Sequence, residues 1–484
     1  MSTHESAAAR PLGQKRFTAQ DQIEFATASR DWNPMHVDAV AARRLLSGRQ
    51  VVHGIHTLMH ALELWQPPGT SAVASIACSF ANPVNVGDPL VFSQRADEGR
   101  SLITASVDGL ASTEITIDPL SAGAAAKVRE PGATLPVRQL GELPAALDEP
   151  PGSQIGSVIE LPVWQDELAA RFPRAAERLG APALTALAQL SYFVGMLCPG
   201  LHSVFSSLVL MPADPAARTL RFEVRRYDPR FHLFIVAFDG AVRGELRAFL
   251  RPPPQPQPAM GEVAAQLRGD EFRGVRSLVV GGSRGLGEIT AKILAAGGGD
   301  VMVSYASGRA DAEAVAADIN AAGRGRCSVV PLDLQAGFDA GGLDPAALDA
   351  VYYFATPRIY SKRTGLFDRT AFDGFVDFYL QRFYALCLWL DGVERERPAR
   401  VYLPSTVFIS ERPKGMTEYA MVKAAAEVLA DDLNRSLRNV VVVHTRLPRM
   451  ATDQTASILQ SGVAPTLDAM LAVVRQMSSA ISSL

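Results

Sequence analysis

The stretch VVHGIHTLMHALELW, residues 51–65, decides the first part of the fold. Its apolar residues at positions 55, 58, 59, 62 and 65 recur at helical spacing, so we predict one apolar helix from Gly54 to Trp65. Short, partly alternating runs bounded by turn dipeptides follow this helix and indicate antiparallel strands. The predicted strands are Ser75–Phe80, Pro89–Arg95, Leu102–Val107 and Ser112–Ile117. Residues 1–128 are therefore predicted to form an α+β unit whose sheet wraps around one helix.

A loop upstream of this helix carries two groups that transfer protons. In SRDWNPMHVD, residues 29–38, Asp31 and His36 lie five positions apart on a loop bent by Pro34. Carboxyl and imidazole groups are common general acids and bases. An isolated pair of this kind is more often part of an ordinary surface loop, but here the helix start at Gly54 adds a backbone amide that can bind an oxygen as negative charge develops on it. We therefore predict Asp31, His36 and Gly54 as catalytic residues.

Three histidines near the helix start offer a metal site as an alternative. His53, His56 and His60 share a helix face. Neither a cysteine nor a clear supporting carboxylate accompanies them. We predict that no metal is bound and that His53 shapes the pocket.

The order of one helix followed by strands occurs again in residues 153–251. An apolar helix at Ala183–Leu197 ends at Cys198-Pro199-Gly200, and four strand-like runs follow. These runs are Ser203–Leu210, Thr219–Tyr227, His232–Phe238 and Gly244–Leu250. We interpret this as an internal duplication whose second copy lacks the Asp-x-Asn-Pro-x-His string and pairs with the first. Four residues of its helix are expected to fill the core, with a tunnel lining as the alternative: Leu190, Tyr192, Phe193 and Met196.

A third unit, residues 272–484, alternates strands and helices, which predicts an α/β fold with a doubly wound parallel sheet. Pro-rich stretches at 129–152 and 251–258 separate the three units. The turn GGSRGLG, residues 281–287, lies between the first strand and helix, where backbone amides can approach a pyrophosphate. We predict that this turn binds a dinucleotide through Gly281, Ser283, Arg284, Gly285, Leu286 and Gly287.

The first unit resembles the MaoC-like and (R)-specific enoyl-thioester hydratases, which have a hot-dog fold. The resemblance rests on FATASRDWNPMHVDAVAA and VVHG, with Arg30 standing where a glycine is usual. It implies that Asp31 and His36 hold a water and act as general base and acid on the α–β bond of an acyl thioester. Gly54 would bind the thioester oxygen, and the second unit, a degenerate hot-dog, would form one wall of an acyl tunnel.

The third unit resembles the short-chain dehydrogenase/reductase family, with its Rossmann fold, across about residues 275–484. The motifs are VGGSRGLG, Ser405 and Tyr419-x-x-x-Lys423. The resemblance implies that Tyr419 donates a proton to a carbonyl, Lys423 lowers the tyrosine pKa and holds the ribose, and Ser405 orients the oxygen. Two departures, Phe354-Ala355-Thr356 for Asn-Ala-Gly and Tyr379 for a relay Asn, can each slow turnover.

The charge pattern around the second strand favours NADP over NAD. The strand ends Ser304-Tyr305-Ala306-Ser307 without the acidic residue that binds a free ribose 2′-hydroxyl. Arg284 and Arg309 can neutralise a 2′-phosphate, so they and Ser304 are predicted to bind the cofactor. Asp333 matches the position that touches adenine in the family.

Composition excludes several classes of function. A net charge of −3, with 48% hydrophobic and 20% charged residues, provides no basic excess for binding nucleic acid or an anionic membrane. The four cysteines are scattered, and residues 1–17 lack the apolar core of a secretory signal. We expect a cytoplasmic protein with reduced thiols that forms a homodimer or homotetramer.

The two resemblances together predict a bifunctional enzyme of fatty acid or polyketide-type synthesis. NADPH reduction of a 3-oxoacyl thioester, on an acyl carrier protein or CoA, would precede dehydration to the enoyl thioester. One alternative is a hydratase and 3-hydroxyacyl dehydrogenase of a β-oxidation-like route. Another is a non-catalytic subunit that binds acyl groups or nucleotides.

Overall fold

A computed structural model describes residues 9–45, 48–69, 72–120, 137–138, 145–164, 166–334, 341–359, 367–453 and 464–482. The chain divides into two compact units, Met1–Pro253 and Pro254–Leu484. Both predicted N-terminal units therefore lie within the first compact unit.

The first half of unit 1 places five strands around one buried helix. Its helices are α1 (Ala19–Ser29), α2 (Pro34–Val37), α3 (Ala39–Ala42) and α4 (Gly54–Leu64). Its strands are β1 (Arg10–Arg16), β2 (Val73–Phe80), β3 (Pro89–Asp97), β4 (Arg100–Val107) and β5 (Leu110–Pro119). The predicted helix and four strands are all observed, whereas β1 and α1 lie where the sequence analysis assigned no element. A capping box between Thr18 and Asp21 starts α1.

The second half of unit 1 repeats the order of one apolar helix and four long strands. Its helices are α5 (Pro151–Gln154), α6 (Leu168–Arg171), α7 (Pro173–Leu179) and α8 (Ala181–Tyr192). Its strands are β6 (Val137–Arg138), β7 (Val158–Pro162), β8 (Ser203–Pro212), β9 (Thr219–Asp228), β10 (Leu233–Asp239) and β11 (Val242–Leu250). The predicted single helix Ala183–Leu197 needs one correction. Its last turn, Phe193–Leu197, is π-helical.

One continuous sheet joins the two halves. Across the described residues of unit 1, eleven strands lie in the order β1-β3-β4-β5-β2-β8-β11-β10-β9-β7-β6. The central pair, β2 and β8, is antiparallel, from Ile76 opposite Leu210 to Ser79 opposite Ser207. Helices α4 and α8 contribute to the same apolar core, in which the predicted core residues of α8 and its π-helical turn are buried. This pairing brings the helix of the second half next to the loop that carries Asp31.

Unit 2 is a parallel sheet flanked by helices, as the alternation of elements predicts. Its strands are β12 (Arg276–Val280), β13 (Asp300–Tyr305), β14 (Arg326–Pro331), β15 (Ala350–Tyr353), β16 (Ala399–Thr406) and β17 (Val440–Leu447). Its longer helices are α10 (Gly285–Ala296), α11 (Arg309–Ala322), α12 (Arg369–Val376), α13 (Phe383–Asp391), α15 (Thr417–Ser436) and α16 (Thr466–Ser482). Shorter elements are α9 (Met260–Ala265), a 3₁₀ turn (Pro345–Ala347), a π-helical turn (Asp377–Arg382) and α14 (Phe408–Glu411).

The strand order of the described part of unit 2 is β14-β13-β12-β15-β16-β17, and every neighbouring pair is parallel. The order reverses direction between β12 and β15, which places the turn after β12 at the crevice where such sheets bind ligands. The compact unit begins at Pro254, before the predicted start at 272, because Met260 and Val263 of α9 are part of its core.

Within the described residues, no single helix is long and apolar enough to cross a membrane, although the bent pair Pro173–Leu179 and Ala181–Leu197 passes a test of length and composition.

Candidate active sites

The loop with Asp31 is anchored to the second half of unit 1. Helix α1 ends at Arg30, which adopts a left-handed conformation with φ of 60°. Asn33 then caps α2 by accepting a hydrogen bond from the Met35 amide. Its side-chain amide donates to the carbonyl oxygens of Gly195 at 2.7 Å and Gly200 at 3.2 Å. These hydrogen bonds hold the loop in its observed position, so that position depends on the second half being folded against it.

Asp31 and His36 converge in the structure. Together with His53 they place side-chain oxygen and nitrogen atoms within 4.8 Å of one another. The three side chains are at most 8% exposed. The His36 Nδ1 lies 2.7 Å from the Val51 carbonyl oxygen, which accepts its proton. In neutral His36, Nε2 therefore carries the lone pair and can act as a base.

Burial shifts the pKa values of Asp31 and His36 away from those of exposed carboxyl and imidazole groups. It raises the pKa of Asp31 to about 7, against hydrogen bonds from Ser191 and the Asn33 amide that lower it. Burial also lowers the pKa of His36 to about 4. Near neutral pH the site therefore holds a carboxyl group able to donate a proton beside an imidazole able to accept one.

His53 braces the loop from the start of α4. Its backbone amide and Nδ1 lie 3.1 and 2.9 Å from the Gln22 side-chain oxygen, and its Nε2 lies 3.0 Å from the Asp31 carbonyl oxygen. The His53 ring also stacks on His36, with 3.9 Å between centroids. Gly54 begins α4, where a Cβ atom would lie 3.0 Å from the Phe80 ring.

The arrangement does not match a metal site. His53 Nε2 faces the Asp31 carbonyl oxygen and His36 Nδ1 faces Val51, so one imidazole nitrogen of His36 and one carboxyl group remain as ligands. Zinc sites use three or four protein ligands. The absence of a bound metal stays a prediction.

The glycine turn of unit 2 has the close backbone packing that its sequence predicts. Gly281 has φ of +78°, and a Cβ atom on Gly287 would lie 2.3 Å from the Gly281 carbonyl oxygen. Helix α10 starts within the turn at Gly285, so its amide groups face the crevice. Ser283 is buried and Leu286 half-buried. These features leave room for a phosphate group close to the backbone.

Three predicted cofactor contacts have partners inside the protein. The Ser304 hydroxyl accepts a hydrogen bond from the Gly281 amide at 3.1 Å, so it helps to hold the glycine turn in place. Arg284 lies 3.6 Å from Asp453, and Arg309 lies 2.7 Å from Glu313. Asp333 is exposed, two positions after the end of β14. The two arginines thus face carboxylates, which compete with a 2′-phosphate.

Tyr419 and Lys423 lie one turn apart on α15, and both are buried. The Lys423 ammonium nitrogen is 3.6 Å from the centre of the Tyr379 ring and 2.6 Å from the Pro404 carbonyl oxygen. Burial lowers the pKa of Lys423 to about 7. The Tyr379 hydroxyl, in the π-helical turn, forms hydrogen bonds with Thr356 and Tyr419. The two departures from the reductase pattern therefore contact each other.

The Ser405 hydroxyl, predicted to orient the substrate oxygen, is hydrogen-bonded within the protein. It donates a hydrogen bond to Glu427, and Arg446 holds the same carboxylate with contacts of 2.8 and 2.7 Å. Among the described hydrogen bonds of Ser405, none reaches Tyr419. Within the described residues, no hydrogen bond therefore joins the predicted serine to the predicted tyrosine.

Comparison with protein-family models gives a match over residues 5–115. This part of the chain is a MaoC like domain. The match confirms the resemblance of the first predicted unit to this family, and the matched range includes Asp31, His36 and Gly54.

Two curated relatives match parts of the chain. An uncharacterized oxidoreductase of Methylorubrum extorquens is 32% identical over 114 residues, or 24% of this chain and 44% of that protein. The (R)-specific enoyl-CoA hydratase of Aeromonas caviae is 38% identical over 77 residues, or 15% of this chain and 58% of that protein. The chain thus spans about half the length of the curated relatives it matches.

Solved structures are similar to the C-terminal part. A short chain dehydrogenase from Burkholderia cenocepacia in complex with NADP is 24% identical, covering 43% of this chain and 92% of its own, with a TM-score of 0.35. A 3-oxoacyl (acyl-carrier-protein) reductase from Agrobacterium tumefaciens with NADP bound is 21% identical, covering 38% and 74%, with a TM-score of 0.33.

Sequence reasoning missed two residues that complete the site of the MaoC like domain. The Ser191 hydroxyl lies 2.7 Å from Asp31 Oδ2. A Cβ atom on Gly195 would lie 2.1 Å from Asp31 Oδ1, so a side chain at this position would displace the Asp31 carboxyl group. Both residues follow the domain in sequence, in the helix of the second half. The one available signal is that a serine and a glycine, together with Gln189, interrupt the mostly apolar run LAQLSYFVGML.

Proposed function

We propose that the chain is a bifunctional enzyme that reduces a 3-oxoacyl thioester with NADPH and dehydrates the resulting 3-hydroxyacyl thioester. The observation that carries the proposal is the convergence of Asp31 and His36 in a buried site of the MaoC like domain. Their separate pKa values suit a reaction that removes one proton and donates another.

Dehydration follows from the positions of the two groups. His36 Nε2 takes the proton from C2 of the 3-hydroxyacyl thioester, and Asp31 donates its proton to the departing 3-hydroxyl, which leaves as water. The amide of Gly54, at the N-terminus of α4, binds the thioester oxygen while enolate charge develops. Hydration is the same sequence in reverse.

Reduction uses Tyr419 of unit 2. Its hydroxyl donates a proton to the substrate carbonyl oxygen, while the ammonium group of Lys423 lies on the neighbouring Tyr379 ring. Bound NADPH would supply the hydride. The close-packed turn Gly281–Gly287 and the start of α10 would hold its pyrophosphate. Preference for NADP is supported by the strand end at Ser304–Ser307, which has no acidic residue.

Several finer features belong to the same proposal. We infer two tandem hot-dog units, 1–128 and 153–251, and a reductase unit that corresponds to Pro254–Leu484, in a cytoplasmic homodimer or homotetramer. The acyl group would be carried by CoA or an acyl carrier protein, and the pathway would be fatty acid or polyketide-type synthesis.

One observation favours a second candidate for unit 2. Ser405 is bound to Glu427, so the hydroxyl that would orient a substrate carbonyl is already used. In this alternative, unit 2 binds a nucleotide without reducing a ketone, and the chain acts as a hydratase alone.

A panel of thioesters tests both candidates. The full chain is incubated with 3-oxoacyl and 3-hydroxyacyl thioesters of CoA and carrier protein, with NADPH or NADH, while nicotinamide and enoyl absorbance are recorded. The proposal expects NADPH oxidation and enoyl formation. Net NAD-dependent oxidation of 3-hydroxyacyl thioesters would instead indicate the β-oxidation-like route, and enoyl formation without any redox change would indicate the hydratase alone.

The pH dependence of dehydration should report the two pKa values. The active form has Asp31 protonated and His36 neutral, so kcat/KM should be highest between about pH 4 and 7. It should fall above pH 7 as Asp31 loses its proton, and below pH 4 as His36 gains one. Steady-state rates, with circular dichroism to verify folding at each pH, measure this. A rate that rises from pH 7 to 9 would contradict the assignment.

Replacing Gly195 with alanine should damage the same site. The new Cβ would lie 2.1 Å from Asp31 Oδ1, so the carboxyl group must move. We expect a loss of dehydration rate of about 10²-fold, the scale of an ångström-sized misplacement. The control is Gly152→Ala in α5, where a Cβ meets nothing within 4 Å and the rate should not change. Equal rates in both variants would show that Asp31 tolerates displacement.

A further inference from the structure

The second half of unit 1 lacks the Asp-x-Asn-Pro-x-His string of the first half, yet one face of its helix covers Asp31. Ser191 in α8 and Gly195 in the π-helical turn are four positions apart and both contact the carboxyl group. Residues with this spacing lie on the same side of a helix. The contact is fully internal, since Ser191 is 5% and Asp31 2% exposed.

We propose that Ser191 is a positioning residue of the dehydration site, whose hydroxyl donates to Asp31 Oδ2 and thereby leaves Oδ1 to carry the proton that is transferred. This inference rests on the proposed dehydration. It assigns the second half a part in the chemistry of the single Asp31 and His36 pair.

The direction of the hydrogen bond follows from the partners available. The hydrogen bond recorded for Ser191 joins its oxygen to Asp31 Oδ2 at 2.7 Å. If the acid proton were on Oδ2, it would donate to Ser191, and the serine proton would be buried with no acceptor among the described residues. Leaving a buried donor unsatisfied is unfavourable. With Ser191 as the donor, Oδ2 is satisfied, and the proton of the acid resides on Oδ1.

The Oδ1 atom has a weaker partner. It accepts a hydrogen bond from the Asn33 backbone amide at 3.3 Å, longer than the Ser191 contact. The Asn33 side chain also fixes the distance between loop and helix, because it donates to the Gly195 carbonyl oxygen at 2.7 Å. Asp31 therefore cannot shift along the helix without breaking these contacts, and Ser191 sets which oxygen is reactive.

Of the ionisable groups around Asp31, His36 and His53 come from the first half and Arg251 comes from the second. His36 faces it from α2 and His53 from the start of α4. Arg251, at the end of β11, acts electrostatically on His36. Ser191 and Gly195 on the helix of the second half are not ionisable in this range. A change at Ser191 therefore alters a hydrogen bond to the carboxylate and removes no charge.

The test is the pH profile of dehydration for Ser191→Ala in the full chain. A serine that donates to the carboxylate stabilises its ionised form, so removing it should raise the Asp31 pKa. The alkaline limb should move upward by about one pH unit, and the maximal rate should fall about tenfold because the carboxyl group loses its fixed orientation. Ser191→Thr retains a hydroxyl and should restore the wild-type limb.

Thr185→Val is the matched control on the same helix. Its hydroxyl is bonded to the Ala181 carbonyl oxygen within α8, so the limb should stay in place. An unshifted limb in Ser191→Ala, with only a lower melting temperature, would overturn the proposal. So would a shift of equal size in Thr185→Val.

A measurement without turnover separates this inference from the proposed function. The carboxyl ¹³C resonance of Asp31 is titrated in wild type and Ser191→Ala. A higher midpoint in the variant supports the role of Ser191 even if no thioester is dehydrated, whereas identical midpoints overturn it even if dehydration is observed.

Discussion

Asp31→Asn is expected to lower the rate of dehydration about 10³-fold, the scale of losing a positioned general acid. Asparagine has nearly the same shape and can still accept the hydrogen bond from Ser191, but it has no proton to give to the departing hydroxyl. The NADPH-dependent reduction of a 3-oxoacyl thioester should be unchanged, because its residues belong to the other compact unit. Enoyl absorbance and NADPH oxidation measure the two rates separately.

Asp38→Asn is the matched control for this substitution. Asp38 lies on the same segment, is exposed, and accepts hydrogen bonds from the amides of Val40 and Ala41 at the start of α3. Asparagine caps a helix about as well as aspartate, so this variant should keep both activities. If Asp31→Asn retained dehydration at the rate of Asp38→Asn, Asp31 could not be the general acid.

Tyr419→Phe should have the second large effect, a loss of ketoreduction of about 10³-fold with dehydration intact. Phenylalanine keeps the ring that packs against Phe375, Tyr379 and Phe408, so the fold should be preserved. The hydroxyl that protonates the carbonyl oxygen is lost. Single-turnover oxidation of NADPH, with the melting temperature recorded in parallel, distinguishes lost chemistry from lost structure.

The control is Tyr384→Phe on α13, because this tyrosine is 44% exposed and lies outside the site. It should reduce the substrate like wild type. Full activity of Tyr419→Phe would remove Tyr419 from the mechanism. The Tyr379 hydroxyl, which is hydrogen-bonded to both Tyr419 and Thr356, would then be the next donor to replace.

Local pattern was sufficient to predict much of the fold. Helical spacing from 55 to 65 corresponds to α4, and the glycine turn lies between β12 and α10 as its composition predicts. The signal was absent for β1, whose seven residues RPLGQKR are mostly polar and form an edge strand. No residue of β1 is fully buried, so packing does not require apolar residues to alternate along it.

The site residues, like the secondary structure, could be predicted where the relevant groups are close in sequence. Asp31 and His36 are only five positions apart, although the structure places His36 in the short helix α2 instead of the predicted loop, so their convergence could be predicted from spacing. Residue type and position predict Arg284, Ser304 and Ser405 as site residues, but the structure pairs each with a group far away in sequence. Arg309 differs, because its partner Glu313 is four positions further along the same helix. Partners of charged and hydroxyl groups depend on which elements pack together.

The sequence by itself determined the periodicity of the helices and strands, the glycine turn and the order of the acid, imidazole and tyrosine groups. These properties depend on backbone geometry over a few residues. Only the tertiary structure decided how Asp31 is held and protonated. Its hydroxyl partner, Ser191, lies 160 residues away, and pairing of β2 with β8 brings the two halves together. Burial then raises the carboxyl pKa, because it removes the water that would otherwise stabilise the charge.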